Sequence, residues 1–152
     1  MIETALSEAL REAVDEVLEK MFFVQSEGQA APDRPPEELV AARVDFEGSP
    51  SGTLSLRVTL PAAHRMAADF LGEEASELPA TRTTEVVCEL ANMICGSVLS
   101  RVEGETAFRL SAPLAAVEMG EVVEPSGGAI VHNIELSGGA FSVKVLCTGA
   151  SS

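Results

Sequence analysis

Residues 39–61 read LVAARVDFEGSPSGTLSLRVTLP. After the break at Ser49 to Gly52 the side chains alternate, placing Leu54, Leu56, Val58 and Leu60 on one face. A period of two marks a half-buried strand, because successive strand side chains point to opposite sides of the sheet. Two such runs around a Ser-Pro-Ser-Gly turn form a β-hairpin. The sheet that contains them is therefore antiparallel at this point.

Working outward, residues 2–22 place Leu6, Leu10, Val14, Val17, Leu18 and Met21 at helical spacing, with acidic residues mostly between them. The stretch SEGQAAPDRPPEE, about 26–38, collects Pro32, Pro35 and Pro36 with Gly and acidic residues and reads as a mobile loop. After the hairpin, Pro61 opens a short helix that Gly72 stops. A second long helix starts near Thr81 to Thr84 and runs to about Val102, with Gly104 as its stop. The remainder is β again: AFRLSAPLAAVEMGEVV, AIVHNIELS and FSVKVLCTG, joined by turns at Ser126 to Gly128 and Ser137 to Gly139. This order predicts an α+β layer fold, an antiparallel sheet covered by two long helices.

The chain has 152 residues, 46% of them hydrophobic, which suits one domain over 1–152 with a real core. No apolar run approaches the roughly 18 residues of a membrane span, and the N-terminus lacks an apolar signal region. The expected location is the cytoplasm. Twenty-four acidic against ten basic residues give a formal charge of −14, which repels nucleic acid and anionic membranes alike. Cys88, Cys95 and Cys147 lie in apolar surroundings and read as small buried hydrophobes.

Most chemistries lack their residues. No GxxxxGK[ST] or GxGxxG follows a strand, and Lys20 and Lys144 are the only lysines. His64 and His132 fall on different elements with no ligand at metal spacing; the first reads as a helix-surface residue, the second as a strand residue. No GxSxG elbow is present, and without Trp or Tyr there is little to stack a base or sugar on.

What remains is a stripe on the second long helix, EVVCELANMICGSVLS at 85–100. Glu85, Glu89, Asn92, Gly96 and Ser100 step by four, three, four and four residues, so they lie along one side. Asn and Gly are each less favourable than Ala in a helix by some tenths to about 1 kcal/mol. Asn92 is one of only two asparagines in the chain. Its carboxamide can accept from a water and donate to a phosphoryl oxygen at once, holding a nucleophile in line without titrating. Glu89 can pair with a cation supplied by a partner, and Gly96 lets another molecule's backbone come close. The plainer reading of the same residues is a solvated helix face, with Gly96 permitting a close contact between helices.

The stripe, in this order of elements, resembles the CheX-type chemotaxis phosphatases, related to CheC and FliY. The shared features are E-x-x-N at Glu89–Asn92, a following glycine at Gly96, and a proline after the first strand of the C-terminal half, Pro113. The resemblance covers nearly the whole chain and implies a phosphatase acting on the phospho-aspartate of a CheY-like response-regulator receiver domain. It implies that Glu89 bridges to the receiver's lysine and Asn92 orients the attacking water, with Glu85, Gly96 and Ser100 as partner contacts. The chain then needs no cofactor of its own, because Mg²⁺ belongs to the receiver. Where CheC-like proteins carry Ser or Asp four residues before the Glu, this chain has Glu85, and it has one such helix instead of two; both features favour the CheX type.

The resemblance also implies a homodimer formed through the sheets, for which Phe141, Val143 and Val145 are candidates; they are equally the residues of an ordinary core. The alternatives are a non-catalytic receiver-binding, dimerisation or scaffold domain in a signalling or flagellar complex, and a small-molecule sensor with a pocket in the sheet.

Overall fold

The computed structural model of the chain describes residues 2–21, 28, 34–48, 51–102, 108–123, 129–136 and 139–148. Its elements run α1 (Ile2–Met21), β1 (Glu37–Glu47), β2 (Ser51–Thr59), α2 (Leu60–Leu71), a short 3-10 turn at Ala75–Glu77, α3 (Ala80–Val102), β3 (Arg109–Leu110), β4 (Leu114–Gly120), β5 (Ile130–Leu136) and β6 (Gly139–Thr148). The strands form one sheet in the order β3-β1-β2-β6-β5, with β4 also beside β1, and every pairing is antiparallel. The α+β expectation holds: a six-stranded antiparallel sheet carries helices packed on one face.

The hairpin register explains why. Val40 pairs with Val58, Ala42 with Leu56 and Val44 with Leu54, and β6 extends these rows with Phe141, Val143 and Val145. All nine are buried and join the apolar faces of α1, α2 and α3 in the main core. Each large aliphatic or aromatic side chain so buried contributes on the order of 1.5–3 kcal/mol. Phe141, Val143 and Val145 are therefore core under the helices and not a dimer surface, which decides between the two readings the sequence left open.

Three boundaries also differ. Leu60 does not continue the strand: it opens α2, with Pro61 in the first turn, where a missing N–H costs nothing. Gly52 is not in the turn but in β2 opposite Phe46, where a Cβ would run into the Leu146 carbonyl and the Phe46 ring. The loop read at 26–38 gives up Glu37 and Glu38 to β1, and most of the rest lies outside the described residues. Gly72 does end α2, in the left-handed conformation at φ 69° that glycine adopts without strain.

The stretch from Ala107, read as β with Pro113 after its first strand, is divided there. β3 pairs with β1 at Phe46↔Leu110 and β4 resumes at Arg43↔Leu114, so Ala112 and Pro113 together face Val44 across a bulge. Ser111 holds the break, its N–H donating to Asp45 O at 2.9 Å and its hydroxyl accepting from Asp45 N–H at 3.0 Å. Nor does a hairpin join β4 to β5, which lie at opposite sides of the sheet. The described start of the connection lies on the helix-free face instead, where Val122 and Val123 pack on Leu39 and Ala140 in a small second core. The turn expected at Ser126 to Gly128 and the stop at Gly104 fall outside the described residues.

Candidate functional site

The sequence of α3 divides by position. Val86, Val87, Leu90, Ala91, Ile94, Cys95, Val98 and Leu99 are all buried in the main core. Eight such residues outweigh the cost to the helix of Asn92, some tenths of a kcal/mol, and of Gly96, about 1 kcal/mol. With that side committed to the interior, the stripe can only face outward. Glu85, Glu89, Gly96 and Ser100 are exposed, and Asn92 is half-buried among them.

Glu89 and Asn92 are neighbours on successive turns, and neither side chain is engaged by another described residue. Glu85 is different: Arg82 Nη1 lies 3.0 Å from its carboxylate, one turn earlier on the same side. At the other end the Ser100 hydroxyl donates to Ser97 O at 3.3 Å. Arg101 turns away to meet Glu12, at 3.5 Å, and Glu16 on α1. The face therefore presents one paired carboxylate, one unengaged carboxylate, a carboxamide, and then a run of small residues.

A Cβ added at Gly96 meets nothing within 4 Å. No neighbour within the described chain requires a glycine there, which removes the close helix contact offered by the plainer reading. The helix carries a weak residue at a place where alanine would fit freely.

The cysteines are not uniformly buried. Cys95 is, and burial pushes its thiol up to about 12, while Cys88 and Cys147 are half-exposed. Cys88 shares the flank of the stripe, and its thiol is pushed up by burial and then by the Glu85 and Glu89 carboxylates. A thiol held protonated in this way is a poor nucleophile. His64 is not a plain surface residue either: Nδ1 lies 3.0 Å from Thr83 Oγ1 and Nε2 contacts the Ala75 carbonyl. His132 sits half-buried on β5 with its Nε2 buried and unpartnered.

Among the described residues no three of His, Cys, Asp and Glu are placed to hold a metal ion. No described helix is long and apolar enough to cross a membrane. A shallow hollow of about 360 Å³ lies on the helix-free face between Arg43, Arg57, Leu114 and Lys144, on the far side of the sheet from the stripe.

No curated protein sequence matches the chain. Its fold is that of the chemotaxis protein CheX from Vibrio vulnificus, at 18% identity and a TM-score of 0.77, covering 96% of this chain and 98% of that one. A CheX from Desulfovibrio desulfuricans is similar at 20% identity and a TM-score of 0.71, over 94% and 99% of the two chains. The CheX of a CheX-CheY-BeF3-Mg²⁺ complex from Borrelia burgdorferi is similar at 21% and 0.67, over 92% and 96%. The family model for the chemotaxis phosphatase CheX matches residues 40–136, more than half of the chain, and the chain belongs to that family.

Proposed function

We propose that the chain is a single unit that hydrolyses the phospho-aspartate of a CheY-like receiver domain by inserting the Glu89–Asn92 face of α3 into the receiver's active site. The observation that carries this is the exposed, unengaged Glu89 and its neighbour Asn92, followed one turn later by a glycine in open space. In-line attack on a phosphoryl group asks mainly for a positioned water and for charge stabilisation around the phosphorus. Asn92 supplies the first: its carbonyl oxygen accepts from the water while its amide donates toward a phosphoryl oxygen. Glu89 supplies an anchor, pairing with the receiver's lysine. The Mg²⁺ stays with the receiver, as the complex from Borrelia burgdorferi suggests, and the protein works in the cytoplasm where receivers are.

The homodimer belongs to the same reading, with a different surface from the one the sequence suggested. Among the described residues β4 is paired on one side only, and Leu114, Val117 and Met119 on it are 73%, 41% and 66% exposed. An open apolar edge is a template for pairing with another strand, so we assign the dimer contact to β4 against its copy.

The test is phosphate release from a phosphorylated receiver with Mg²⁺, comparing wild type, Asn92→Ala and Glu89→Ala. Acceleration by wild type and its loss in Asn92→Ala, with an unchanged melting curve, is the expected result. Binding without acceleration would make the chain a receiver-binding scaffold.

A further inference from the structure

We infer that His64 is a positioning residue for the Glu89–Asn92 face, fixing the height and rotation of α3 through Thr83. The inference rests on the phosphatase reading and assigns to that site a residue from a different helix.

The Thr83 side chain is 1% exposed, one of three buried polar residues among those described. A hydroxyl left unpaired there would cost about 1–3 kcal/mol. Its partner comes from α2: the His64 Nδ1 lies 3.0 Å away, while Nε2 contacts the Ala75 carbonyl of the 3-10 turn. A carbonyl only accepts, so Nε2 carries the proton, and in the neutral ring Nδ1 accepts from the Thr83 hydroxyl. One side chain in the middle of α2 thus ties down both the connection from Gly72 to Pro79 and the beginning of α3.

The apolar contacts of α3 settle which side of the helix faces inward. Burial of Val86, Val87 and Leu90 is itself an effect without direction, so a polar bond can sharpen the setting that packing gives. The bond to Thr83 has both a direction and a narrow distance range. The connection itself offers little further restraint, since Leu78 is the only buried residue from Gly72 to Pro79. Glu89 lies six residues beyond Thr83 and Asn92 nine. At 1.5 Å per residue these are about 9 and 13.5 Å along a rigid helix, so an error at Thr83 reaches both. A misplacement of about 1 Å in a group that holds the nucleophile is enough to cost on the order of a hundredfold in rate.

The experiment measures kcat and KM for phosphate release from a phosphorylated receiver, with a thermal melt of each variant. The variants are Asn92→Ala, His64→Ala, Thr83→Val, Thr83→Ser, the His64→Ala/Thr83→Val double, His64→Asn and His64→Gln. His64→Ala and Thr83→Val should each lower kcat about tenfold or more with KM nearly unchanged, and the double variant should be no slower than either single one. Asn puts an amide where Nδ1 was and should restore kcat. Gln puts it where Nε2 was and should not, even if it melts as high as the Asn variant. Thr83→Ser keeps the hydroxyl and should retain activity, which guards against a His64 variant that simply fails to fold. Full kcat in His64→Ala or Thr83→Val while Asn92→Ala is inactive would overturn the inference. So would recovery by Asn and Gln in proportion to their melting temperatures. Failure of the phosphatase reading looks different: wild type and Asn92→Ala then release phosphate at the same rate, and the positioning role falls with it.

Discussion

Gly96 separates what a residue does for the fold from what it does for a partner. Alanine there meets open space and should stabilise the helix by about 0.5–1 kcal/mol, raising the melting temperature by about 2–4 °C. If a receiver backbone packs against the bare helix, the same variant raises KM for phosphate release. A stabilised Gly96→Ala protein with an unchanged KM would mean that nothing approaches there. His132 makes a second residue-level prediction. Burial holds its imidazole below the ordinary value, reinforced by Arg11 and opposed by Asp15 on α1. The unfolded chain therefore takes up a proton first as the pH falls, near 6.5, and stability present above that value is lost below it. Between about pH 7.5 and pH 5.5 wild type should lose up to about 1 kcal/mol more than His132→Phe in denaturant unfolding; equal losses would contradict it. Both residues were visible in the sequence, but their surroundings were not, because periodicity assigns a face and says nothing of the space beside it.

At the scale of elements, the hairpin and the two long helices were legible because each carries one unbroken period. The errors share a physical origin, in that local chemistry was right and tertiary pairing was hidden. Pro113 marks a bulge that only the Val44 register reveals, and β4 and β5 form no hairpin because β5 pairs with β6 at the far edge. Alternation at Phe141, Val143 and Val145 fits a core or an interface equally well, and only the helices above it decide. Gly139 looked like part of a loose turn, yet it begins β6 tightly against β2. The Ala140 N–H donates to Thr59 Oγ1 at 3.2 Å, and a Cβ on Gly139 would overlap that hydroxyl and press on Ala62. Gly139→Ala should therefore destabilise by about 1–3 kcal/mol in denaturant unfolding, whereas an unaffected midpoint would show that the junction yields easily.

For the whole molecule, the stripe, the exposed edge and the charge act in different directions. With a formal charge of −14, two copies repel at long range, so a dimer must rely on the apolar edge of β4. Sedimentation at micromolar concentration should give a dimer for wild type and a monomer for the Leu114→Lys/Met119→Lys double variant, with phosphate release per chain retained by the monomer. A wild-type monomer would remove the dimer and leave the catalytic proposal standing, since Glu89 and Asn92 lie on α3 and not on β4. The candidate site itself was the most legible part of the molecule, because Asn and Gly on a helix face contradict helix propensity and so stand out without any structure. The anchor at His64 and Thr83 was not legible, because the two residues lie on different helices and nothing in their spacing brings them together.

The most direct test of the central claim is the single-turnover decay of a phosphorylated receiver at saturating concentrations of wild type and of Asn92→Ala, where differences in binding no longer matter. Decay should be fast with wild type and return to the receiver's own rate with Asn92→Ala. The same saturating rate for both proteins would contradict it, because the water would then be oriented by something other than Asn92.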